Sequence, residues 1–249
     1  MEQEIVDNKK VKELFEARSA MNGSNAVLSC SEDKATVRQN QYRDYITRKS
    51  LLKYLKAKKT DNLLDFGCGV GRIAQRVANK VHSVVGVDVS SGMIDKAKKE
   101  CQSPNIEYNV LTTDYDFGKE RFTKIYTCWV LQHISDDYMA QYLKRFNECL
   151  VRKGRVVILE QVKLEKCKST EYLVQRLESD YKSLFENAGF RLISAKKVFR
   201  VPSYSMDLWK KYNISKLFLP MLGFIEKCTI MRKPKYIDYV SSVMVFEKK

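Results

Sequence analysis

Three alternating glycines between two short apolar segments constrain the fold of this chain more than any other feature. Residues 63–66 (LLDF) have the pattern of a buried strand, and Gly67, Gly69 and Gly71 follow directly. Apolar residues then recur at helical spacing, and a β-branched segment ends at Asp88. A strand, a glycine turn, a helix and a second strand in this order predict a parallel βαβ unit.

The position of the glycine turn predicts a ligand site. In an open α/β sheet, ligands bind beyond the carboxyl ends of the strands, and bare glycine lets a ligand press against the backbone. The dinucleotide fingerprint GxGxxG would need its third glycine at position 72, which is Arg72, so this turn reads GxGxG. Asp88 lies 21 residues after Gly67, where a carboxylate can accept both hydroxyls of a ribose.

Strands and helices alternate along the rest of the chain. The predicted strands after the first one cover residues 82–88, 106–110, 124–130, 155–160, 190–201 and 237–246. A helix is expected between a cap at Ser169 or Thr170 and a stop at Gly189. The pattern predicts an α/β fold with a doubly wound, mostly parallel sheet. The 249 residues fit a single domain, with a helical cap over residues 1–60 and an insertion over residues 202–236.

The charge of the chain is strongly positive. Forty-five Lys and Arg against 30 Asp and Glu give a net charge of +15, of which +9 falls on residues 161–249. Such a surface attracts nucleic acid, anionic lipid or phosphorylated metabolites. A lysine-rich surface that only keeps the protein in solution explains the charge equally well.

Cysteine usage and the apolar runs indicate the compartment. The seven cysteines are odd in number and contain no CxxC pair, which argues against a disulfide framework and against a zinc site. The first ten residues mix both charge signs, so we expect no secretory signal. No apolar run approaches the roughly 20 residues that span a bilayer. We therefore expect a reduced cytoplasmic protein.

Four segments carry a family resemblance. LLDFGCGVGR at 63–72 and VVGVDVS at 84–90 resemble the first two motifs of class I S-adenosylmethionine (SAM) methyltransferases. FTKIYTCWVLQHIS at 122–135 and LVRKGRVVILEQV at 150–162 are similar to the motifs of the fourth and fifth strands. The resemblance covers about residues 60–200. It implies a seven-stranded sheet with an antiparallel last strand, SAM bound across the glycine turn, and S-adenosylhomocysteine as the product.

The resemblance also implies a set of SAM-binding residues. By this likeness, Asp65 orders the turn and the SAM amino group, Arg72 holds the SAM carboxylate, and Asp88 binds the ribose hydroxyls. An arginine suits a carboxylate because its planar fork makes two parallel hydrogen bonds. The full set is Asp65, Gly67, Gly69, Gly71, Arg72, Asp88, Val89, Asp114 and Cys128.

Several of these positions leave alternatives open: Asp65 fits a capping carboxylate, and Arg72 fits a solvated helix arginine. Val89 is expected beside the adenine, and either Asp114 or Asp116 is a candidate for the adenine amino group. Cys128 and Trp129 end the fourth strand, next to where the methionine part of SAM would lie. A polarisable or aromatic wall suits a sulfonium cation, although Trp129 fits simple core packing equally well.

Methyl transfer needs alignment and, for many acceptors, a base. His133 follows the fourth strand at the ligand edge of the sheet, and its ordinary pKa of about 6.5 suits proton abstraction near neutrality. Glu160, at the end of the fifth strand, is expected to orient it, as an acid does in similar sugar O-methyltransferases. The alternative is that both residues have a structural role, with His133 as a helix cap. His82 begins a strand at the opposite edge and is expected to be structural.

The sequence leaves the methyl acceptor open. We favour a small molecule, with O-methylation of a sugar, a glycan or a phenolic metabolite first. One alternative is a macromolecule, either RNA or a protein N terminus, because residues 129–136 resemble protein α-N-terminal methyltransferases. Those enzymes have an Asp-Asn pair where this chain has Glu160 and Gln161. A SAM-binding subunit without catalysis is the remaining alternative, and either a monomer or a homodimer fits.

The insertion at residues 202–236 is rich in apolar and aromatic side chains, so we expect it to be ordered. We interpret it as a helical lid over the acceptor site, with help from residues 15–45. A helix that extends the core or contacts a second copy is an alternative. Shallow insertion into an anionic membrane is another, because many cations surround these apolar residues. They are Lys210, Lys211, Lys216, Lys227, Arg232, Lys233 and Lys235.

Overall fold

The computed structural model describes residues 6–23, 25–28, 33–165, 168–200, 208–209, 211–212, 216–229 and 239–249. The helices in these ranges are α1 (Asn8–Arg18), α2 (Asn25–Leu28), α3 (Lys34–Leu55), α4 (Ala74–Val77), α5 (Ser91–Glu100), α6 (Asp136–Cys149), α7 (Glu178–Asn187) and α8 (Leu219–Thr229). The strands are β1 (Asn62–Phe66), β2 (Ser83–Asp88), β3 (Ile106–Val110), β4 (Phe122–Cys128), β5 (Leu150–Lys163), β6 (Lys168–Ser169), β7 (Val174–Gln175), β8 (Phe190–Phe199) and β9 (Tyr239–Lys248).

Seven of the strands form one sheet in the order β3-β2-β1-β4-β5-β9-β8. The first five pair in parallel, and β9 lies antiparallel between β5 and β8. This arrangement confirms the predicted doubly wound, mostly parallel sheet with an antiparallel last strand. The strand order reverses between β1 and β4, so a ligand crevice opens beyond the carboxyl ends of these two strands.

Helices cover both faces of the sheet and give two apolar layers. Leu63 packs in the layer under α3 and α5, whereas its neighbour Leu64 packs in the layer under α6 and α7. Successive side chains of a strand point to opposite faces, so a strand buried on both sides is apolar at consecutive positions. In the second layer, the rings of Phe185 and Phe246 stack with centroids 3.9 Å apart.

The predicted helix after Ser169 begins later than expected. Residues 168–175 form a two-stranded hairpin instead, and α7 starts at Glu178. Thr170 makes the tight turn of this hairpin, since its backbone N–H donates to the Leu173 carbonyl at 2.8 Å and its hydroxyl oxygen accepts from the Leu173 N–H. Threonine side chains bind nearby backbone in turns as well as in helix caps, which is why the sequence did not separate the two.

The described part of the insertion packs against α3. Leu222 and Glu226 of α8 are buried there, and Glu226 accepts a hydrogen bond from the Arg200 N–H at 2.9 Å. Trp209 is also buried, and its indole N–H donates to the Arg38 carbonyl at 2.9 Å. The rest of the predicted lid lies outside the described residues. None of the described helices combines the length and the hydropathy that a bilayer span requires.

Candidate active site

The glycine turn is held in a backbone conformation that side chains disfavour. Gly67 has φ +74° and Gly69 has φ +52°. A Cβ at Gly67 would lie 2.3 Å from Val130 Cγ2, and one at Gly69 would lie 2.4 Å from Val27 Cγ1. Both the left-handed backbone and the close neighbours therefore require glycine at these positions.

Asp88 ties this turn to the next helix. Its Oδ2 accepts from the Gly69 N–H at 2.9 Å, and its Oδ1 accepts from the Ser90 N–H at 3.0 Å. Burial raises the pKa of Asp88, and these backbone donors oppose the rise. A carboxylate has about four lone-pair sites, so both oxygens keep capacity to accept the hydroxyls of a ribose.

Asp65 and Arg72 place opposite charges on either side of the turn. Burial raises the pKa of Asp65 to about 7, although the Tyr126 hydroxyl donates to it at 2.8 Å. Arg72 is 10% exposed, and it donates to Asp44 Oδ1 at 3.1 Å and to Cys128 Sγ at 3.4 Å. These contacts fix the guanidinium beside the end of β4.

The chain leaves β4 through an unusual residue. Trp129 has φ +60°, a conformation that costs a bulky side chain about 1–3 kcal/mol, so β4 ends two residues earlier than predicted. The 3-10 turn Leu131–His133 follows at once. Trp129 packs edge-on against Phe199, and its indole N–H has no hydrogen-bond partner among the described residues.

Glu160 binds the backbone N–H groups of this 3-10 turn. Its Oε1 accepts from the Val130 and Leu131 N–H groups at 3.0 and 2.9 Å, and its Oε2 lies 3.4 Å from the Gln132 nitrogen. The side chain is completely buried, and burial raises the pKa of Glu160 to about 7 against the effect of these donors. Glu160 therefore positions His133 through the backbone and does not touch the imidazole.

Arg176 binds the backbone carbonyl groups of the same turn. This side chain is 2% exposed and donates to the carbonyl oxygens of Leu131 at 2.9 Å and Ile134 at 2.6 Å. It also makes two hydrogen bonds to Asp136 Oδ1. Together Glu160 and Arg176 form a buried clamp, called the Glu160–Arg176 clamp below.

The imidazole of His133 is oriented from the hairpin. Its Nδ1 lies 2.7 Å from the Tyr172 carbonyl, which can only accept, so Nδ1 carries a proton. Burial and the nearby Arg18 lower the pKa of His133, which keeps the ring neutral at pH 7. Its Nε2 is then an acceptor, and the Gln132 side-chain amide lies 3.3 Å away.

Helix α1 closes the front of the site. Glu16 accepts from the Ser90 hydroxyl at 2.7 Å and from the Gly92 N–H at 3.1 Å, so it caps the start of α5. The ring of Phe15 packs edge-on against His133 at 5.2 Å between centroids. At the other end of α1, Lys10 pairs with Glu171 of the hairpin.

These elements enclose a cavity of about 780 Å³. Its wall includes Phe15, Arg18, Leu28 and Arg43, all within the segment expected to help cover the acceptor site. The residues selected from the sequence that line this cavity are Asp65, Gly67, Gly69, Arg72, Asp88, Val89, Cys128 and His133.

Three selected residues do not line the cavity. Gly71, with φ +74°, packs its backbone against the Tyr108 hydroxyl, and Glu160 lies behind the 3-10 turn. Asp114 is exposed, and the Thr112 side chain lowers its pKa. In place of Asp114, the backbone turn after β3 brings Thr112 and Thr113 to the cavity.

Sequence reasoning missed two groups in the site. Arg176 lies inside the predicted helix, and Gln132 was not singled out from the motif that contains it. Gln132 is 7% exposed, and its Oε1 has no hydrogen-bond partner among the described residues. The sequence shows a glutamine next to the candidate base, but only the structure shows that this glutamine is buried.

Comparison with known proteins decides the family. A model of the family described as AdoMet dependent proline di-methyltransferase matches residues 19–214, and AdoMet is another abbreviation of SAM. The chain belongs to this family. It is a SAM-dependent methyltransferase, which confirms the predicted enzyme class and cofactor.

The named relatives match only part of this methyltransferase. It is 30% identical over 142 residues to alpha N-terminal protein methyltransferase 1 of Schizosaccharomyces pombe, and the match covers 55% of this chain and 65% of the relative. It is 32% identical over 107 residues to N-terminal Xaa-Pro-Lys N-methyltransferase 1 of Danio rerio, and that match covers 41% of this chain and 48% of the relative. The matches thus span less than two thirds of these relatives.

A solved structure agrees in fold along most of the chain. A SAM-dependent methyltransferase from Leishmania major superposes with a TM-score of 0.63 at 14% identity, covering 96% of this chain and 82% of the other.

The groups in the cavity wall fit SAM. Asp88 would accept from the ribose hydroxyls, Asp65 from the amino group, and Arg72 would donate to the carboxylate. The face of Trp129 and the sulfur of Cys128 would lie near the sulfonium. The ribose, the amino group and the carboxylate of SAM would thus each have an opposite partner in the wall of this cavity.

The ribose assignment predicts a difference between two aspartates. Asp88→Asn removes a charged acceptor from the cavity, so SAM affinity should fall about 10- to 100-fold by isothermal titration calorimetry. Asp114→Asn is the matched control and should leave the affinity unchanged, because Asp114 lies outside the cavity wall. Equal losses in both variants would contradict these placements.

The clamp predicts a combined loss of stability and turnover. Glu160→Gln turns an amide donor toward the buried N–H groups of residues 130–132, so the free energy of unfolding should drop by about 1–3 kcal/mol in urea titrations. Turnover should fall more than SAM affinity, because His133 shifts while Asp88 stays. Glu178→Gln, whose carboxylate accepts from Ser242, is the control and should change both much less. An unchanged kcat in Glu160→Gln would argue against positioning through the turn.

Proposed function

We propose that this methyltransferase acts on a nitrogen acceptor, the α-amino group of a protein N terminus. The description of its family and the names of two relatives support this acceptor. They favour the protein alternative of the sequence analysis over O-methylation of a small molecule.

The observation that carries this proposal is a pair of neighbouring acceptor atoms at the cavity. His133 Nε2 is an acceptor in the neutral ring, with the Gln132 side-chain nitrogen 3.3 Å away, and Gln132 Oε1 is buried without a partner among the described residues. An ammonium has several N–H groups and can donate to both atoms at once, whereas a hydroxyl has one hydrogen to donate. A buried acceptor without a partner is costly, so a donor from the substrate would stabilise the complex.

The reaction requires loss of a proton before methyl transfer. An α-amino group has a pKa of about 7.7–8.0, so most of it is protonated and has no lone pair at pH 7. His133 Nε2 takes one proton and leaves the nitrogen with a lone pair that can act as the nucleophile. Bound SAM would supply the methyl group on a sulfonium, and the carbon–sulfur electron pair would stay on sulfur.

Closure of the cavity serves this step. Phe15 covers one side of His133 and keeps the imidazole away from bulk water. Low exposure also disfavours the charged ring, which lowers the pKa of His133 and keeps it ready to accept. Gln132 orients the incoming ammonium toward the same nitrogen.

The acceptor class can be tested with matched peptides. The enzyme is incubated with isotope-labelled SAM and a peptide that begins with Xaa-Pro-Lys, either free or N-acetylated. We expect label on the terminal nitrogen of the free peptide, located by fragment-ion mass spectrometry, and none on the acetylated peptide. Equal labelling of both peptides, or no label on the free peptide, would overturn the proposal.

The base assignment predicts a pH effect. His133→Ala should lower kcat about 10²- to 10⁴-fold at saturating SAM, with SAM affinity unchanged. Because the pKa of His133 is lowered from 6.5, the ring is neutral above that pH, and wild-type kcat should fall only at more acidic pH. This acid limb should vanish in His133→Ala and persist in the control His82→Ala, which changes an exposed histidine. Full turnover in His133→Ala would refute the role.

A further inference from the structure

Helix α8 is apolar on the side that faces solvent. Its inner side, with Leu222 and Glu226, is buried against α3 and the end of β8. The opposite side and the 3-10 turn before it expose large apolar residues, called the α8 face here: Leu217 (86% exposed), Phe218 (49%), Met221 (50%) and Phe224 (66%). Soluble proteins normally place polar residues on such a surface, and contiguous apolar patches mark binding surfaces.

The segment that carries the α8 face is cationic in sequence. Residues 208–235 contain seven Lys and Arg and a single acidic residue, Glu226, and of the seven cations the structure describes the side chains of Lys211 and Lys227. Glu226 is 1% exposed and accepts from the backbone of Arg200, so it presents no negative charge at the surface. Lys211 and Lys227 are exposed, and Lys49 Nζ lies 3.8 Å from where a Cβ of Gly223 would be.

An apolar strip bordered by lysines matches the chemistry of an anionic bilayer surface. The apolar side chains of such a helix enter the boundary between headgroups and acyl chains, while the cations stay at the level of the lipid phosphates. Each lysine or arginine near an anionic leaflet adds to the attraction. We propose that the α8 face binds the surface of an anionic lipid bilayer.

Two other occupants fit less well. A second copy of the chain would bring two cationic borders together, and like charges across an interface are unfavourable. RNA would satisfy the lysines but would leave Leu217, Met221 and Phe224 in water, because its backbone offers charge and few apolar surfaces.

The position of α8 connects this surface to the active site. Strand β8 runs antiparallel to β9, which runs antiparallel to β5, so β8 and β5 point the same way. The Arg200 contact with α8 therefore lies at the sheet edge where the strands end and the cavity opens. A bilayer bound to the α8 face would meet this edge of the enzyme and present acceptors from the membrane surface.

Vesicle flotation tests the proposal with the whole protein. The probes are vesicles of phosphatidylcholine alone and of phosphatidylcholine with about one third phosphatidylserine. We expect flotation with the anionic vesicles only, and less of it as ionic strength rises from about 0.1 M to about 0.5 M. The double variant Met221→Asp, Phe224→Asp should reduce the partition coefficient at least about tenfold. The control Ile193→Asp changes a side chain that is 44% exposed on β8 and should float as the wild type does.

Folding is checked in the same samples. SAM affinity and thermal unfolding of the double variant should match the wild type, because both substituted side chains point to solvent. Flotation that is equal with both kinds of vesicle, absent with both, or unchanged in the double variant would overturn the proposal. A wild-type dimer in size-exclusion chromatography that the double variant dissociates would assign the α8 face to a second copy instead.

Discussion

The active site depends on one buried carboxylate that accepts the amides of a single turn. Trp129 leaves β4 with a left-handed backbone, which is unfavourable for a bulky residue. The amides of Val130 and Leu131 would then be buried donors, and Glu160 satisfies both. Arg176 satisfies the carbonyls on the other side of the turn, and the resulting clamp compensates both the strain and the burial of two charges.

The clamp explains why the histidine of this site can be neutral and well oriented at once. Its ring is held by a carbonyl at the tip of the β6–β7 hairpin, so the lone pair is placed on Nε2 without a charged partner. A carboxylate in contact with the ring would have raised the pKa of His133, whereas burial lowers it. The same hairpin carries Arg176 at its base and contacts α1 through Glu171. The cavity wall, His133 and the clamp are therefore connected to one another by direct contacts.

The topology of the sheet brings the residues of the candidate site together at the edge where the parallel strands end. Five parallel strands end there, so the glycine turn, Asp88 and His133 come from separate segments to one crevice. The antiparallel β9 returns the chain so that β8 also ends at this edge, where the backbone of Arg200 contacts α8. The proposed bilayer contact would thus use a helix that packs at the same end of the sheet.

The sequence by itself determined the sheet, the family and most of the residues that line the cavity from the selected set, because these depend on local patterns. The GxGxG turn and the terminal Asp88 act within one βαβ unit, and short-range spacing is enough to locate them. Only the tertiary structure decided the role of Glu160, the place of Arg176 and the exclusion of Asp114 from the cavity. Those outcomes depend on which backbone groups, distant in sequence, are buried together. Thr170 is a further example, because a threonine can bind backbone groups either at the start of a helix or in a hairpin turn. Burial and hydrogen-bond partners arise from long-range packing, which a local pattern does not encode.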